Sequence, residues 1–350
     1  MGTTRINGST STRRILVTGG AGFLGSHLCE HLLRLGNAVF CLDNFQTGSS
    51  VNVERLAGSD RFEMIEQDVG DALPASLTVD GIFNLACAAS PPRYQADPVH
   101  TLMTSVIGTR NLLDLAERCD AVLVQASTSE IYGDPEVHPQ NEDYWGHVNP
   151  TGPRACYDEG KRAAETLCFD YLRLGRADAR VARIFNTYGP RMRRDDGRIV
   201  SNLIGQALER QPLTIYGDGK QTRSFCYVSD LIDGLMALMA LPRNPNAPIN
   251  LGNPNEVSIN ALATLILDLV GTRASIDYRP RPVDDPMRRR PDISRAKQLL
   301  NWQPRRSLRR GLAATIDWFA SRDLANAAHA STQTTRGSAA DTGLLATARP

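Results

Sequence analysis

The chain has 350 residues, with 39 lysines and arginines against 38 aspartates and glutamates. A charge balance this even excludes a protein whose whole surface is adapted to nucleic acid or anionic lipid. The seven cysteines are odd in number and never form a C-x-x-C pair, which argues against a disulfide framework or a zinc knuckle and favours a reducing compartment.

The beginning of the chain, MGTTRINGSTST, is polar and lacks the apolar core of a secretory signal. Later apolar runs such as ALATLILDLV are short and interrupted by Asp268, so we expect no membrane segment and a cytoplasmic protein. We predict disorder for residues 1–13 and for the small, polar tail 321–350.

From Arg14 onward, short β-rich runs alternate with amphipathic segments such as SHLCEHLLRLG and TLMTSVIGTRNLLDLAERC. The predicted strands are ILVT, AVFCLD, FEMIEQD, GIFNLA, AVLVQAS and ARVARI. This alternation predicts an α/β protein with a Rossmann-type, doubly wound parallel sheet, formed mainly by residues 14–185. Turns rich in Gly, Pro and Arg then separate helices near 200–210, 229–241 and 258–270. Residues 186–320 are predicted to form mainly a smaller C-terminal substrate-binding lobe, with the chain crossing back to the sheet.

The segment ILVTGGAGFLGSHL is a predicted buried strand that runs into Gly19, Gly22 and Gly25 and then a helix. Glycines at this spacing allow the backbone to approach a pyrophosphate at the helix N-terminus. Asp43 ends the next strand, where a carboxylate can accept hydrogen bonds from ribose hydroxyls and would repel a 2′-phosphate, so NAD is favoured over NADP. A solvated strand end is the plainer interpretation of Asp43. Asp68 ends the third strand and is predicted to reach the adenine.

The helix after the glycine loop also contains His27, Glu30 and His31, which spell the H-x-x-E-H pattern of some zinc proteases. These residues begin two positions after Gly25, and the sequence offers no obvious third ligand. We therefore predict no metal site here.

Tyr157 and Lys161 are four residues apart, so on a helix they share a face. A positive charge at ~4 Å in an effective dielectric of ~20 contributes roughly 4 kcal/mol, or about three pKa units, in favour of a phenolate. With Lys161 and a positive nicotinamide nearby, Tyr157 is a candidate base for a sugar hydroxyl. The cluster Thr128, Ser129 and Glu130 follows the strand AVLVQAS, and its plainer interpretation is a strand-end cap.

The span from Ser127 to Lys161, with YGDPEVHPQ, EDYWGHVNP and GPRACYDEGKR, resembles the extended short-chain dehydrogenase/reductase family, and within it the UDP-glucuronate decarboxylases. The resemblance covers about residues 14–320. It implies a Rossmann domain with a sugar-nucleotide lobe, a resident NAD and a homodimer. It also implies conversion of UDP-glucuronate to UDP-xylose through a 4-keto intermediate, with the cofactor recycled in the site.

The resemblance assigns catalysis to Thr128, Ser129, Glu130, Tyr157 and Lys161. Ser129 stands where related 4,6-dehydratases usually carry an aspartate, which favours a decarboxylase. The same resemblance adds Phe23, Leu24, Asn44, Val69 and Leu85 to the cofactor site, together with Tyr157 and Lys161. It places the substrate against Tyr94, Asn111, Asn186, Arg191, Asn202, Tyr216, Gln221, Arg223 and Arg289. Arginine suits a diphosphate because its planar fork binds phosphate oxygens bidentately.

Two positions depart from the family pattern. Ala88 stands where a proline is expected, and Met103 stands where a substrate-contacting lysine is usual. A 4-epimerase or 4,6-dehydratase on the same fold therefore remains the nearest alternative, and a non-catalytic nucleotide-sugar-binding protein is a third. The arginines do not alternate with aromatic residues, so no nucleic-acid partner is expected.

Overall fold

The structure is a computed structural model that describes residues 12–281 and 288–322. Most of the two termini that we predict to be disordered, residues 1–11 and 323–350, lie outside the described residues. Residues 321–322, which the sequence assigned to the tail, still belong to the last described helix.

Seven strands form one parallel sheet in the order β11-β6-β5-β4-β1-β2-β3. Six of them come from residues 14–184: β1 (Arg14–Thr18), β2 (Ala38–Asp43), β3 (Phe62–Glu66), β4 (Gly81–Asn84), β5 (Val122–Thr128) and β6 (Ala179–Ile184). The seventh, β11 (Ile249–Leu251), comes more than sixty residues after β6, and the elements between them include helices and short strands outside this sheet. The predicted fold class is confirmed, and all six predicted strands lie in this sheet.

Helices cover both faces of the sheet, as expected when parallel strands are joined by crossovers. Their bounds are α1 (Phe23–Arg34), α2 (Pro91–Tyr94), α3 (Pro98–Met103), α4 (Thr109–Cys119), α5 (Ala155–Arg173), α6 (Ile199–Leu208), α7 (Val228–Met239), α8 (Ile259–Val270), α9 (Ser294–Leu300) and a last helix over 308–322. A π-helical turn, Thr104–Gly108, joins α3 to α4. The predicted helices near 200–210, 229–241 and 258–270 correspond to α6, α7 and α8.

Alternate residues of the central strand enter opposite cores, which is the period-two pattern of a strand buried on both faces. In β1, Ile15 and Val17 pack in the core that includes α1 and α7, whereas Leu16 packs in the core that includes α4 and α5. The larger core continues into the smaller lobe through residues of α6 and α8. The lobe therefore packs directly against the domain that holds the sheet.

The remaining strands are short and lie in the second half of the chain. They pair as β10-β7, β12-β9-β14 and β13-β8. Their bounds are β7 (Thr187–Tyr188), β8 (Leu213–Tyr216), β9 (Thr222–Ser224), β10 (Cys226–Tyr227), β12 (Glu256–Ser258), β13 (Ile276–Arg279) and β14 (Arg288–Arg289). Across residues 12–281 and 288–322, no helix has the length and apolar character needed to cross a membrane.

The carboxyl ends of β1, β4 and β5 meet at one edge of the sheet. Thr18 pairs in register with Asn84, and the Asn84 side chain donates to Gln125 Oε1 at 2.8 Å. From β1 the chain continues to β2 on one side, while β4 lies on the other. Such a reversal of strand order opens a crevice at the carboxyl edge, which is where doubly wound sheets bind ligands.

Candidate active site

A cleft of about 510 Å³ opens at this edge, between the sheet and the smaller lobe. The structure brings nearly all the predicted site residues together there: each of them lines the cleft except Tyr94 and Asn111. Residues from the glycine loop at one end and from β8 and β9 at the other share one continuous wall. The cofactor and substrate sites that we expected are thus two halves of one cleft.

Tyr94 and Asn111 occupy supporting positions. Tyr94 is fully buried and stacks on the ring of Tyr157, with centroids 4.9 Å apart and an interplanar angle of 2°. Asn111 lies on α4, where its side-chain amide donates to the backbone carbonyls of Val69, Gly70 and Asp71. Neither side chain lines the cleft wall in this structure, where Tyr94 packs on Tyr157 and Asn111 holds the loop after β3; contact of these two residues with the substrate stays a prediction.

The glycine loop leaves no room for side chains. Gly19 has φ +64°, and an added Cβ would lie 2.8 Å from the carbonyl carbon of Leu85. A Cβ on Gly25 would lie 2.1 Å from the carbonyl oxygen of Gly19. The loop leads into α1, whose N-cap is Gly22 with no side-chain cap. The first residues of α1 line the cleft, so their backbone N–H groups lie where a helix N-terminus can bind a pyrophosphate.

Asp43 lies at the end of β2, largely buried, on the wall beside the glycine loop. Its carboxylate accepts from the backbone N–H of Ala21 at 2.9 Å and of Phe45 at 2.8 Å. Burial raises its pKa above the ordinary value, and these backbone donors partly oppose the rise. Because each carboxylate oxygen accepts more than one hydrogen bond, Asp43 keeps acceptor capacity for ribose hydroxyls. This geometry fits NAD.

Asp68 lies on the same wall, in the loop after β3. It accepts hydrogen bonds from the Asn44 side chain at 2.6 Å and from the Gly70 backbone at 2.7 Å, and its Oδ2 lies 2.8 Å from Nε2 of His100. Burial acts to raise the pKa of Asp68, but these hydrogen bonds together lower it. The carboxylate is held in place at the end of the cleft where we expect the adenine.

Tyr157 and Thr128 meet at the centre of the cleft, and a hydrogen bond joins their side chains. Lys161 lies one turn further along α5, with its Nζ 5.9 Å from the Tyr157 ring centroid and 3.0 Å from the carbonyl oxygen of Ala126. Burial raises the pKa of Tyr157, and the Thr128 hydrogen bond and the charge of Arg198 do not outweigh it. Burial thus outweighs the groups of the protein that favour the phenolate, and the positive charge of a bound nicotinamide is not among these groups.

Glu130 lies in a compact charged cluster beside Tyr157. Its carboxylate accepts from Arg154 Nη2 at 2.6 Å and from Arg289 Nη1 at 3.4 Å, and it is hydrogen-bonded to the carboxyl group of Asp158. Burial acts to raise the pKa of Glu130, but the two guanidinium groups hold it below the ordinary value. Burial and the charge of Glu130 raise the pKa of Asp158 to about 8. The pKa values of these two adjacent carboxyl groups are thus shifted in opposite directions, as expected when like charges share a buried site.

Arg154, Asp158 and His100 were not predicted from the sequence as site residues. Arg154 and Asp158 lie inside GPRACYDEGK, whose tyrosine and lysine were predicted to act in catalysis. Asp158 follows Tyr157 directly, and this adjacency to a candidate base is the one signal that could have marked it. Their common partner, Glu130, is more than twenty residues away, so the pairing depends on how β5 and α5 pack.

The substitutions at positions 88 and 103 differ in where they lie. Ala88 is buried, lines the cleft and packs with Tyr94 and Tyr157. Met103 is 42% exposed at the end of α3 and is outside the cleft wall. The missing lysine therefore does not remove a cation from this cleft.

Two residues of the H-x-x-E-H pattern, His27 and Glu30, contact different partners. His27 Nε2 lies 2.9 Å from the carbonyl oxygen of Pro190, and Glu30 pairs with Arg55 at 2.6 Å and with Arg191. Arg191, which we expected to touch substrate, lines the cleft but directs one end of its guanidinium to Glu30 on α1. Within the described part of the chain, no three His, Cys, Asp or Glu residues are grouped so as to hold a metal ion.

Comparison with known proteins places the chain in a family. Residues 15–252 match the model of the NAD dependent epimerase/dehydratase family. UDP-glucuronic acid decarboxylase 1 of Danio rerio is 56% identical over 317 residues, covering 91% of this chain and 75% of that protein. UDP-glucuronic acid decarboxylase 6 of Arabidopsis thaliana is 53% identical over 303 residues, covering 86% and 87%.

A solved structure with the same fold is UDP-glucuronic acid 4-epimerase from Bacillus cereus, in complex with UDP-glucuronic acid and NAD. Its TM-score is 0.79, its identity is 31%, and the match covers 88% of this chain and 99% of that chain. The family model spans more than half of the 350 residues, and the glycine loop, Asp43 and the Tyr157–Lys161 pair lie inside the matched region. The chain belongs to the NAD dependent epimerase/dehydratase family.

Proposed function

We propose that this chain is an NAD-dependent UDP-glucuronate decarboxylase that forms UDP-xylose. The observation that carries the proposal is the cluster of Glu130, Arg154 and Arg289 placed beside Tyr157 and Thr128 in the cleft. This cluster provides cations for a sugar carboxylate next to a group that can act on the adjacent ring hydroxyl. The decarboxylases at 52–56% identity support the same reaction.

The glycine loop and the first turn of α1 would hold NAD, with Asp43 at the ribose and Asp68 near the adenine. When bound there, NAD would supply a reversible hydride acceptor for C4 of the sugar and a positive charge on its oxidised ring. Tyr157 takes the proton from the C4 hydroxyl, and Thr128 donates a hydrogen bond where negative charge develops on the oxygen. Because burial alone raises the pKa of Tyr157, the phenolate forms only in the complete site.

Oxidation at C4 makes the sugar labile at C5. The C4 ketone is β to the C6 carboxylate, so the electron pair of the C5–C6 bond can flow into the carbonyl as CO2 leaves. Arg289 lines the cleft, and its Nη1 lies 3.4 Å from Oε1 of Glu130. At this distance Arg289 orients the Glu130 carboxylate without fully neutralising its charge. Glu130 then faces the enolate that must be protonated at C5. Ser129, buried beside it, supports the turn that presents Glu130.

The UDP moiety is assigned to the smaller lobe. Tyr216 and Gln221 flank the turn between β8 and β9, and Gln221 Nε2 donates to the Tyr216 carbonyl oxygen at 2.5 Å. Arg223 on β9 lines the same wall, where its guanidinium suits the diphosphate. Asn186 and Asn202 complete the wall towards the sugar and the uracil. This end of the cleft explains a requirement for a nucleotide sugar rather than free glucuronate.

The decisive test is incubation with UDP-glucuronate and NAD, measuring CO2 and the nucleotide-sugar product together. We expect stoichiometric CO2 and UDP-pentose. UDP-galacturonate without loss of CO2 would establish the 4-epimerase alternative, which the similarity to the Bacillus cereus enzyme favours. Tight UDP-sugar binding without transient NADH absorbance would establish the non-catalytic alternative.

We further propose that two copies pair through α3, α4 and α5, the helices that the family resemblance assigns to the dimer. Val99 on α3 is 67% exposed, Met103 at its end is exposed, and Leu174 directly after α5 is 70% exposed. Charged substitutions at Val99 and Met103 are expected to halve the mass measured by sedimentation equilibrium. The same change at Val51, an exposed residue far from these helices in sequence, serves as control.

All seven cysteines are free, which supports a reducing cytoplasmic location.

A further inference from the structure

The reaction proposed above requires a proton at C5, and the structure contains a candidate donor that the mechanism has not yet used. Asp158 is 7% exposed and directly follows Tyr157 on α5. It does not line the cleft, but it is hydrogen-bonded to Glu130, which does. A carboxyl group in this position cannot touch the sugar, so any effect it has on the sugar passes through Glu130.

The contacts of Asp158 favour its neutral form. Its Oδ1 is buried and has no hydrogen-bond partner among the described residues. An ionised carboxylate with a bare buried oxygen is costly, whereas a protonated carboxyl can donate its hydrogen to Glu130. Among the described residues, the charged or titratable groups that interact with Asp158 include Arg154, Arg289, Tyr94 and Cys156. Burial and the charge of Glu130 raise the pKa of Asp158 to about 8 despite the two arginines.

We propose that Asp158 is a positioning residue that keeps a proton in reserve for Glu130, so that Glu130 protonates C5 after CO2 leaves. Loss of CO2 leaves the electron pair of the broken C5–C6 bond on the enolate. The proton crosses from Asp158 to Glu130 and on to C5, where a C–H bond forms as the carboxyl O–H bond breaks. Water then restores the proton to Asp158, so one proton is taken up for each CO2 released. This inference rests on the proposed decarboxylase function.

The test is Asp158→Asn, which keeps a hydrogen-bond donor next to Glu130 but removes the transferable proton. The matched control is Glu159→Gln on the next residue of α5, whose carboxylate is partly exposed and pairs with Arg162 at 3.5 Å. For Asp158→Asn we expect kcat for CO2-coupled UDP-pentose formation to fall about 100-fold or more, with KM for UDP-glucuronate nearly unchanged. Oxidation at C4 still proceeds through Tyr157, so NADH absorbance accumulates with the sugar held at the stages before protonation of C5, and UDP-4-keto-pentose does not accumulate.

The pH profile separates a proton reserve from a merely structural contact. Wild-type kcat is expected to fall as pH rises through about 8, because Asp158 then loses its proton, and Asp158→Asn is expected to lack this alkaline limb. Unchanged kcat and an unchanged alkaline limb in Asp158→Asn would overturn the inference. Failure of the wild-type protein to release CO2 would instead overturn the proposed function.

A second measurement applies if Asp158→Asn does not fold. Infrared spectra of the wild-type protein with 13C-labelled aspartate are expected to show a protonated carboxyl band that shifts with the label and disappears at about pH 8. Absence of such an aspartate band at neutral pH would refute the proposal that Asp158 holds a proton, and this measurement needs no variant.

Discussion

Replacement of Glu165 by alanine is expected to be one of the most destabilising single changes near the site. Glu165 on α5 accepts from Arg183 Nε at 3.0 Å and from Arg183 Nη2 at 2.8 Å, and it also accepts from Ser127. Glu165 and Arg183 are only 7% and 9% exposed. The change leaves a guanidinium buried with the Tyr132 hydroxyl and a backbone carbonyl as its remaining partners.

Removing one partner of a buried ion pair costs about 3–5 kcal/mol, against a typical total stability of about 5–15 kcal/mol. The assay is urea unfolding, with NAD at the same concentration for every variant because bound ligand adds to apparent stability. Glu165→Gln keeps one acceptor oxygen but loses the charge and the second acceptor, so a loss of about 2 kcal/mol, smaller than that of Glu165→Ala, is expected.

Glu159→Ala on the same helix is the matched control. Its ion pair with Arg162 is more than one-third exposed on both sides, so a change of about 0–1 kcal/mol is expected. Equal effects of Glu165→Ala and Glu159→Ala would refute the reasoning. Because Ser127 precedes Thr128 and Glu165 follows Lys161 by one turn, Glu165→Ala should also lower kcat.

Three further changes test the parts of the cleft separately. Gly25→Ala places a Cβ 2.1 Å from a loop carbonyl, so NAD affinity measured by calorimetry should fall about 100-fold, whereas Gly58→Ala, with nothing within 4 Å, should leave it unchanged. Arg289→Leu should raise KM for UDP-glucuronate at least about tenfold, because one charged hydrogen bond to the sugar acid is lost, and it should leave the affinity for UDP constant. The control Arg288→Leu, at an exposed residue, should have no effect. Tyr157→Phe should lower kcat by about 10²–10⁴-fold and abolish transient NADH absorbance; wild-type turnover in that variant would contradict the role of the phenolate.

The fold was readable from the sequence because its signals are local. Each strand of the sheet is a short apolar run, and the crossover helices carry the period of a buried helical face. The glycine loop was readable because its spacing is local, and the steric limit at Gly25 comes from Gly19, six residues earlier, whereas the limit at Gly19 comes from distant Leu85. The bounds of α6, α7 and α8 fell within two residues of those expected.

The interior of the site was not readable to the same depth. The sequence identified Tyr157 and Glu130 but gave no indication that Asp158 and Arg154 would surround Glu130, because that pairing arises only where β5 and α5 pack together. The burial that raises the pKa of Tyr157 was likewise not visible in the sequence, whereas the lysine four residues away was.

The most direct test of the account is a proton NMR time course of UDP-glucuronate turnover in deuterated water. We predict UDP-xylose with one deuterium at C5, from protonation of the enolate, and with the original hydrogen retained at C4. A product that keeps its C6 carboxylate, or a pentose that gains deuterium at C4 and none at C5, would contradict the account.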